Sequence, residues 1–444
     1  MRRSTLAQVV SLAFACIVAG AAQAAPVLMI SVDGLRPGDV LEADQRGVTA
    51  PYLTGMAKRG LYATGVRNAL PTVTYPNHTT LVTGVWPARH GIEANVVFDP
   101  LRKSYEAWYW YSPMIRVPTL WDAVHAQHRL TASLGWPVTV DNPSIDENLP
   151  EYWRARIPGD ADLLHALSTP GLPELVAPTG FKLMDVVVTE PAEDEAKAKA
   201  AAAIYAAKRP YFMTLHLSSL DHFEHLYAPG SPQAYGALQR IDAAIAGLVA
   251  AARQAEPDLV VVLVSDHGFA PISHEVSLPL AFVEAGLITL NARGEVESWQ
   301  AMPWVSGGSA AVVLAQPGDE AVRAKTAALL RKLSNDPNSG LGRVMDRAQI
   351  AAAGGAPDAD FFVDAKPGYE IGSALTGPLI SDSVNKGTHG YFPDNPAMRA
   401  TLIIDGAGQS GSLGEVDMRD IAPTVAQILN VSLPSAEGKS LLKR

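Results

Sequence analysis

The chain reads as an α/β protein built on a central, mostly parallel sheet with helices on both faces. Three observations predict this. Short, almost wholly apolar runs alternate with helical runs along most of the 444 residues. Those runs suit strands covered on both faces, as in a parallel sheet. With 48% hydrophobic and 18% charged residues, the chain has material for a large core and is neither disordered nor fibrous.

The first 24 residues read as an export signal. Arg2 and Arg3 form a positive start, Leu6 to Ala22 is mostly apolar, and Ala22-Gln23-Ala24 is a small-x-small cleavage pattern. Cys16 is the only cysteine and would leave with that segment, so an exported protein without disulfides or thiolate ligands is expected. The expected location is the periplasm or outside the cell. Removing Arg2 and Arg3 takes the formal charge from −10 to −12. An acidic chain speaks against a stable nucleic-acid complex but leaves room for a small phosphorylated substrate at a local site. No later run has about 18 apolar residues, so no membrane span is expected.

Taken in order, Val27 to Val32 reads as the first buried strand, and Tyr211 to Leu217, Leu259 to Val264 and Ala400 to Ile404 look similar. Glu193 to Ala207 is an Ala/Lys-rich helix. Ser231-Pro232 supplies an N-cap and first-turn proline for a helix running to about Gln254, and Asp420 to Leu429 a short terminal helix. Residues from about 277 to 385 break this rhythm with Gly-, Pro- and Asp-rich stretches and one helix near Glu320 to Leu333. The expectation is one catalytic domain over 25–444 with a small inserted subdomain at about 277–385.

The chemistry gathers where apolar runs stop. The first strand ends in Asp33-Gly34, the 259–264 run ends in Ser265-Asp266-His267-Gly268, and Asp221 to His225 follows the 211–217 run. Ligands of open α/β sheets bind at the carboxyl ends of strands, so the three clusters can share one edge. Gly387-Thr388-His389-Gly390 is a fourth element. Each alone is weak, because an Asp at a strand end is more often a helix cap. Together, three Asp and three His suit two Zn²⁺ ions, with Mn²⁺ or Fe also compatible. Asp221 and His225 share a helical face at that spacing, His222 points elsewhere, and His216 alternates within a strand and reads as structural. A nucleophile is sought in Pro71 to Gly84, where Pro76 opens a helix and Gly84 ends it. Thr74 falls just before that helix start, where an anion is favoured. Spacing alone favours a plain N-cap and does not choose among Thr72, Thr74 and Thr79.

At this point the motifs become specific. Pro71-Thr72-x-Thr74-Tyr75-Pro76-Asn77-His78, Thr83-Gly84, His90-Gly91-Ile92 and Asn95 resemble the nucleotide pyrophosphatase/phosphodiesterase family of the alkaline phosphatase superfamily. Asp33-Gly34-Leu35-Arg36-Pro37, Asp221 with His225, Ser265 to Gly268 and Gly387 to Gly390 fit that pattern in order, and the likeness runs from about Val27 to Leu441. The resemblance implies an alkaline-phosphatase-like fold with Thr74 as nucleophile. It also implies one zinc on Asp33, Asp266, His267 and the Thr74 oxygen, and a second on Asp221, His225 and His389. Asn95 would donate to a non-bridging phosphoryl oxygen, and Tyr75 would stack on a nucleobase. The implied reaction is hydrolysis of a phosphodiester or nucleotide pyrophosphate through a phospho-threonine. A phosphomonoesterase or phosphonate hydrolase is the alternative, with Arg154 and Arg156, and Arg36 nearer the first metal motif, as candidate extra cations. A metal-dependent phosphate-binding protein without turnover is the non-enzymatic one.

Overall fold

The computed structural model describes residues 24–104, 107–154 and 159–443. The expected signal segment, apart from Ala24, lies outside the described residues, as do Cys16 and Arg156. No described helix is long and apolar enough to cross a membrane.

Eight strands form the central sheet. In spatial order they are Gly411–Ser412, Leu61–Tyr62, Leu402–Asp405, Val260–Val264, Val27–Val32, Phe212–Leu217, Thr131–Leu134 and Glu147–Leu149. The five strands from Val260–Val264 to Glu147–Leu149 run parallel. Their residues alternate between two cores, as the period of two requires. Leu28, Ile30 and Val32 join a core shared with the helices Pro191–Lys208 and Pro232–Ala255. Val27 and Met29 join the opposite one with the helices Leu120–His125 and Ile421–Leu429. Helices therefore cover both faces, which explains why the strands are apolar throughout.

The mostly parallel sheet also takes in an antiparallel strand. The strand near Ala400 runs over Leu402–Asp405 and lies antiparallel to Val260–Val264. An apolar run reports burial on both faces and says nothing of direction, which the connection decides. The helix ends come out close to the reading. Ser231 accepts a hydrogen bond from the Ala234 amide as an N-cap, ahead of Pro232.

The region after Val264 also builds two four-stranded sheets around a core of their own. One is antiparallel, in the order Ala301–Ser306, Ser309–Leu314, Ala359–Ala365, Leu341–Asp346. The other is organised on Ala270–Ser277, flanked by Gly368–Gly372 and Ile380–Asp382. Gly387–Thr388 pairs with the start of Ala270–Ser277, so the segment carrying His389 is tied to these smaller sheets.

Candidate functional site

The site lies at the carboxyl ends of the parallel strands. Asp33 follows Val27–Val32 directly, and Asp266 and His267 follow Val260–Val264, its hydrogen-bonded neighbour. Two residues past Phe212–Leu217, the helix Ser219–Tyr227 places Asp221 and His225 four residues apart on one face. Gly34 turns the chain away at φ +75°, a conformation that suits glycine, and its amide donates to Asp266 Oδ1 at 3.3 Å.

These residues gather into two trios, each able to hold a metal ion: Asp33, Asp266 and His267, and Asp221, His225 and His389. His267 Nε2 lies 3.3 Å from Asp33 Oδ1 and 3.1 Å from Asp266 Oδ2. His225 Nε2 and His389 Nε2 each lie 3.6 Å from Asp221 Oδ1. In all three imidazoles Nδ1 already faces a backbone carbonyl: Gly387 at 3.0 Å for His225, Gly268 at 3.2 Å for His267 and Thr72 at 3.1 Å for His389. A carbonyl only accepts, so Nδ1 carries the proton and each Nε2 aims a lone pair at a carboxylate. Asp33 Oδ1, Asp221 Oδ1, Asp266 Oδ2 and His267 Nε2 are buried without a hydrogen-bond partner. Acceptors gathered against acceptors in a buried space are costly until a cation sits among them, so these donor sets fit divalent metal. The electrostatics agree. Burial, followed by repulsion from Asp221, pushes the Asp33 carboxyl well up; burial, followed by Asp33, does the same to Asp266. Burial holds His267 well below the ordinary imidazole value and brings His389 down to about 4. The two trios touch: the rings of His267 and His389 stack 3.7 Å apart at 9°.

Thr74 is the first residue of the helix Thr74–Thr83, with extended Val73 as its cap, one position further in than the sequence suggests. The reason is Asn77. Its side-chain amide donates to the Pro71 and Val73 carbonyls and accepts from the Ala69 amide, winding the turn one residue earlier. The structure separates the three threonines. Thr72 gives its hydroxyl to the Tyr391 carbonyl at 2.7 Å and Thr79 to the Tyr75 carbonyl at 2.9 Å. Thr74 alone is partly exposed among residues 68–85. It is also held between the trios, because the Thr72 carbonyl meets His389 while His78 Nδ1 meets the Thr74 carbonyl at 2.9 Å and lies 3.6 Å from Asp266 Oδ2.

Asn95 is partly buried, and its Oδ1 accepts the Tyr75 amide at 2.9 Å, which turns its NH₂ group away from that contact. Tyr75 itself is only 1% exposed, with its hydroxyl on Glu151 and its ring tilted against Trp108 at 5.1 Å. As placed it is a wall of the site and lacks the free face that base stacking needs; Trp108, which is partly buried, is the outer ring of the pair. Arg154 is exposed and faces Asp160, whose carboxylate also accepts its amide. Arg36 is bound to Asp39 and lies 3.6 Å from Glu224. Sequence reasoning missed His78, Glu151 and the true position of His216. The last touches Asp33 at 3.0 Å, and its signal was available as a polar residue in a buried strand beside a strand-end Asp.

Taken together, the structure is that of an α/β protein with two carboxylate–imidazole trios, suited to divalent cations and linked through Thr72 and His78 to a threonine at a helix start. The chain belongs to the type I phosphodiesterase/nucleotide pyrophosphatase family, whose family model matches residues 27–392. It is 28% identical over 256 residues to human ectonucleotide pyrophosphatase/phosphodiesterase family member 1, covering 55% of this chain and 23% of that protein. Venom phosphodiesterase 2 of Crotalus adamanteus is 26% identical over 262 residues, covering 56% and 27%. The chain thus spans about a quarter of the length of these relatives. Human ectonucleotide pyrophosphatase/phosphodiesterase 5 has the same fold, with a TM-score of 0.64 at 19% identity over 93% of this chain and 97% of that one. A murine form described as an inactive threonine-to-alanine variant in complex with AMP gives 0.64 at 19% identity over 94% and 97%.

Proposed function

We propose that the protein is a two-zinc hydrolase of phosphodiester or nucleotide pyrophosphate bonds, with Thr74 as nucleophile. The observation that carries this reading is the placement of Thr74, partly exposed at a helix start and tied by its neighbours to both trios. Asp33, Asp266 and His267 would hold one ion with the Thr74 oxygen, and Asp221, His225 and His389 the other. Mn²⁺ or Fe suits the same donors. Bound zinc would supply Lewis-acid polarisation of the phosphoryl oxygen and lower the cost of an alkoxide.

The chain's own residues do the rest. The helix start favours negative charge on Thr74 Oγ1. As that oxygen bonds to phosphorus its proton leaves with the departing alkoxide or phosphate, giving a phospho-threonine; water then adds its hydroxyl to phosphorus and returns a proton to the Thr74 oxygen as the new bond breaks. With Asn95 Oδ1 taken by the Tyr75 amide, its NH₂ would be the group that donates to a non-bridging oxygen. The AMP-bound murine relative supports a nucleotide-type substrate and a threonine role.

A diester is favoured over a monoester because the described cations nearby are committed elsewhere. Arg154 is 56% exposed and faces Asp160, and Arg36 serves Asp39 and Glu224. A dianionic monoester needs a dedicated cation or donor for its extra charge. The test compares kcat/KM for a nitrophenyl thymidine monophosphate diester with that for nitrophenyl phosphate, with and without a chelator. The diester should be preferred, and turnover should vanish with the metal. Preference for the monoester would move the protein to the phosphatase or phosphonate-hydrolase reading. Full metal loading without turnover on either compound would favour a binding protein. Export is proposed on the signal pattern ending at Ala24, and amino-terminal sequencing of the protein recovered outside the cytoplasm should begin at Ala25.

A further inference from the structure

A row of buried polar side chains runs behind the site, and the reaction outlined above uses only its two ends. It starts at Asn95, whose Oδ1 accepts the Tyr75 amide at 2.9 Å. The Tyr75 hydroxyl donates to Glu151 Oε1 at 2.7 Å. Glu151 Oε2 lies 3.3 Å from His216 Nδ1, and His216 Nε2 lies 3.0 Å from Asp33 Oδ2. Glu151 is 8% exposed, His216 3% and Asp33 4%, so water does little to screen these contacts.

The backbone explains why the ring arrives there. His216 pairs with Ser31 across two parallel strands, and the period of two puts Ser31 and Asp33 on the same face. The ring is therefore delivered from a central strand to a carboxylate one step along the neighbouring strand. It also packs edge-on against His78, 4.5 Å away, the residue that meets the Thr74 carbonyl. A second consequence concerns the carboxylate. With Oδ2 taken by His216, Asp33 turns Oδ1 towards His267 Nε2, and that oxygen is the one left without a partner.

We propose that His216 and Glu151 are positioning residues for the first metal trio. Glu151 holds the His216 ring, and the ring fixes the Asp33 carboxylate so that it offers Oδ1 alone to the metal. The proposal rests on the reading of Asp33 as a zinc ligand. Groups that hydrogen-bond a ligating carboxylate typically change metal affinity by about 10- to 100-fold when removed. Tyr75, one step further from the metal trio than Glu151, belongs to the same row and should act in the same direction but more weakly.

The experiment measures zinc affinity by competition with a chromophoric chelator, alongside kcat and KM for a nitrophenyl diester. The variants are His216→Phe, Glu151→Gln and Tyr75→Phe, with Asp33→Asn as reference. His216→Phe keeps a ring of similar size against His78, and Tyr75→Phe removes a single hydroxyl, so at least one variant should fold. The affinity of one of the two ions should fall about 10- to 100-fold for His216→Phe, less for Glu151→Gln and least for Tyr75→Phe. The drop in activity should lie in kcat, and excess zinc should restore part of it. If Asp33→Asn loses an ion while the other variants bind zinc like the unaltered protein, the relay is overturned and the metal reading stands. If Asp33→Asn itself leaves zinc binding unchanged, the metal reading falls. Variants with a lower melting temperature but unchanged affinity would show that the row is only packing, which also overturns the proposal.

Discussion

The two trios differ in how they are built. Asp33, Asp266 and His267 have side chains 6%, 0% and 0% exposed, and all follow directly from adjacent parallel strands. Asp221, His225 and His389 are 19%, 25% and 10% exposed, and come from a helix and from a segment held by the smaller sheets. The His389 segment is fastened from several sides. Ser309 donates to the Gly390 carbonyl, Thr72 to that of Tyr391, and Asp364 accepts the Phe392 amide. One trio is part of the central sheet; the other is assembled by packing two regions together. The first should be rigid and slow to exchange, the second more open to solvent and more dependent on remote contacts.

The largest effect expected is that of Thr74→Ala, which removes the nucleophilic oxygen but leaves the six side chains of the two trios unchanged. Turnover of a diester should fall on the order of 10⁴-fold or more, the scale for a lost nucleophile. Both ions should remain, as counted by elemental analysis. Departure of either ion would mean that the three side chains of that trio cannot hold it without the Thr74 oxygen. Thr72→Ala should cost far less activity but about 1 kcal/mol of stability, because its hydroxyl spans to the Tyr391 carbonyl.

A second test sets the trios against each other. In a chelator-quench experiment the two ions should leave in distinct phases, separated by about tenfold or more, since solvent access and outer contacts set metal affinity on that scale. Asp221→Asn should abolish the fast phase and Asp266→Asn the slow one. In the metal-free protein Asp266→Asn should also raise the melting temperature near neutral pH, because burial and Asp33 disfavour the charged carboxylate there. A single phase, or a lower melting temperature for metal-free Asp266→Asn, would mean that the two trios do not differ in this way.

The same contrast governs what was legible in the sequence. Asp33 and Asp266 stand out because uninterrupted apolar strands stop at them, and a strand end is a fixed place in an α/β sheet. Asp221 and His225 follow from helical spacing. His389 shows only as a histidine between glycines, and nothing in its neighbourhood reveals that Ser309 and Asp364 hold it, since such contacts join residues far apart in the chain. Thr74 could not be told from Thr72 or Thr79 by spacing, because the decision rests on which hydroxyl is already spent on a carbonyl. Tyr75 reads as an open aromatic, yet Glu151 and Trp108 enclose it. His216 looks structural for a sound reason, strand alternation, but alternation fixes only the face it points to and not the carboxylate waiting there.

The last effect expected is one of pH and concerns Asp364, which lies in the antiparallel four-stranded sheet and holds the segment that follows His389. Its Oδ1 accepts the Phe392 amide at 3.2 Å and its Oδ2 lies 3.2 Å from Arg343. Burial outweighs both, raising this carboxyl from 3.8 to about 6. A carboxyl raised on folding binds its proton more tightly in the native state, so its contribution is complete below 3.8 and is lost as the pH rises through about 6. Relative to Asp364→Asn, which keeps an acceptor for Phe392 but does not titrate, the native protein should therefore lose stability across that window. At 1.36 kcal/mol per unit the change should reach at most about 3 kcal/mol. Urea denaturation of the metal-free proteins at several values between pH 4 and 7 measures it, and the titrations of His389 and the other shared groups cancel in the difference. A difference that stays flat with pH would show that Asp364 remains charged throughout. The comparison makes one further demand on this variant: any change in zinc affinity should appear at the second trio and leave the first untouched.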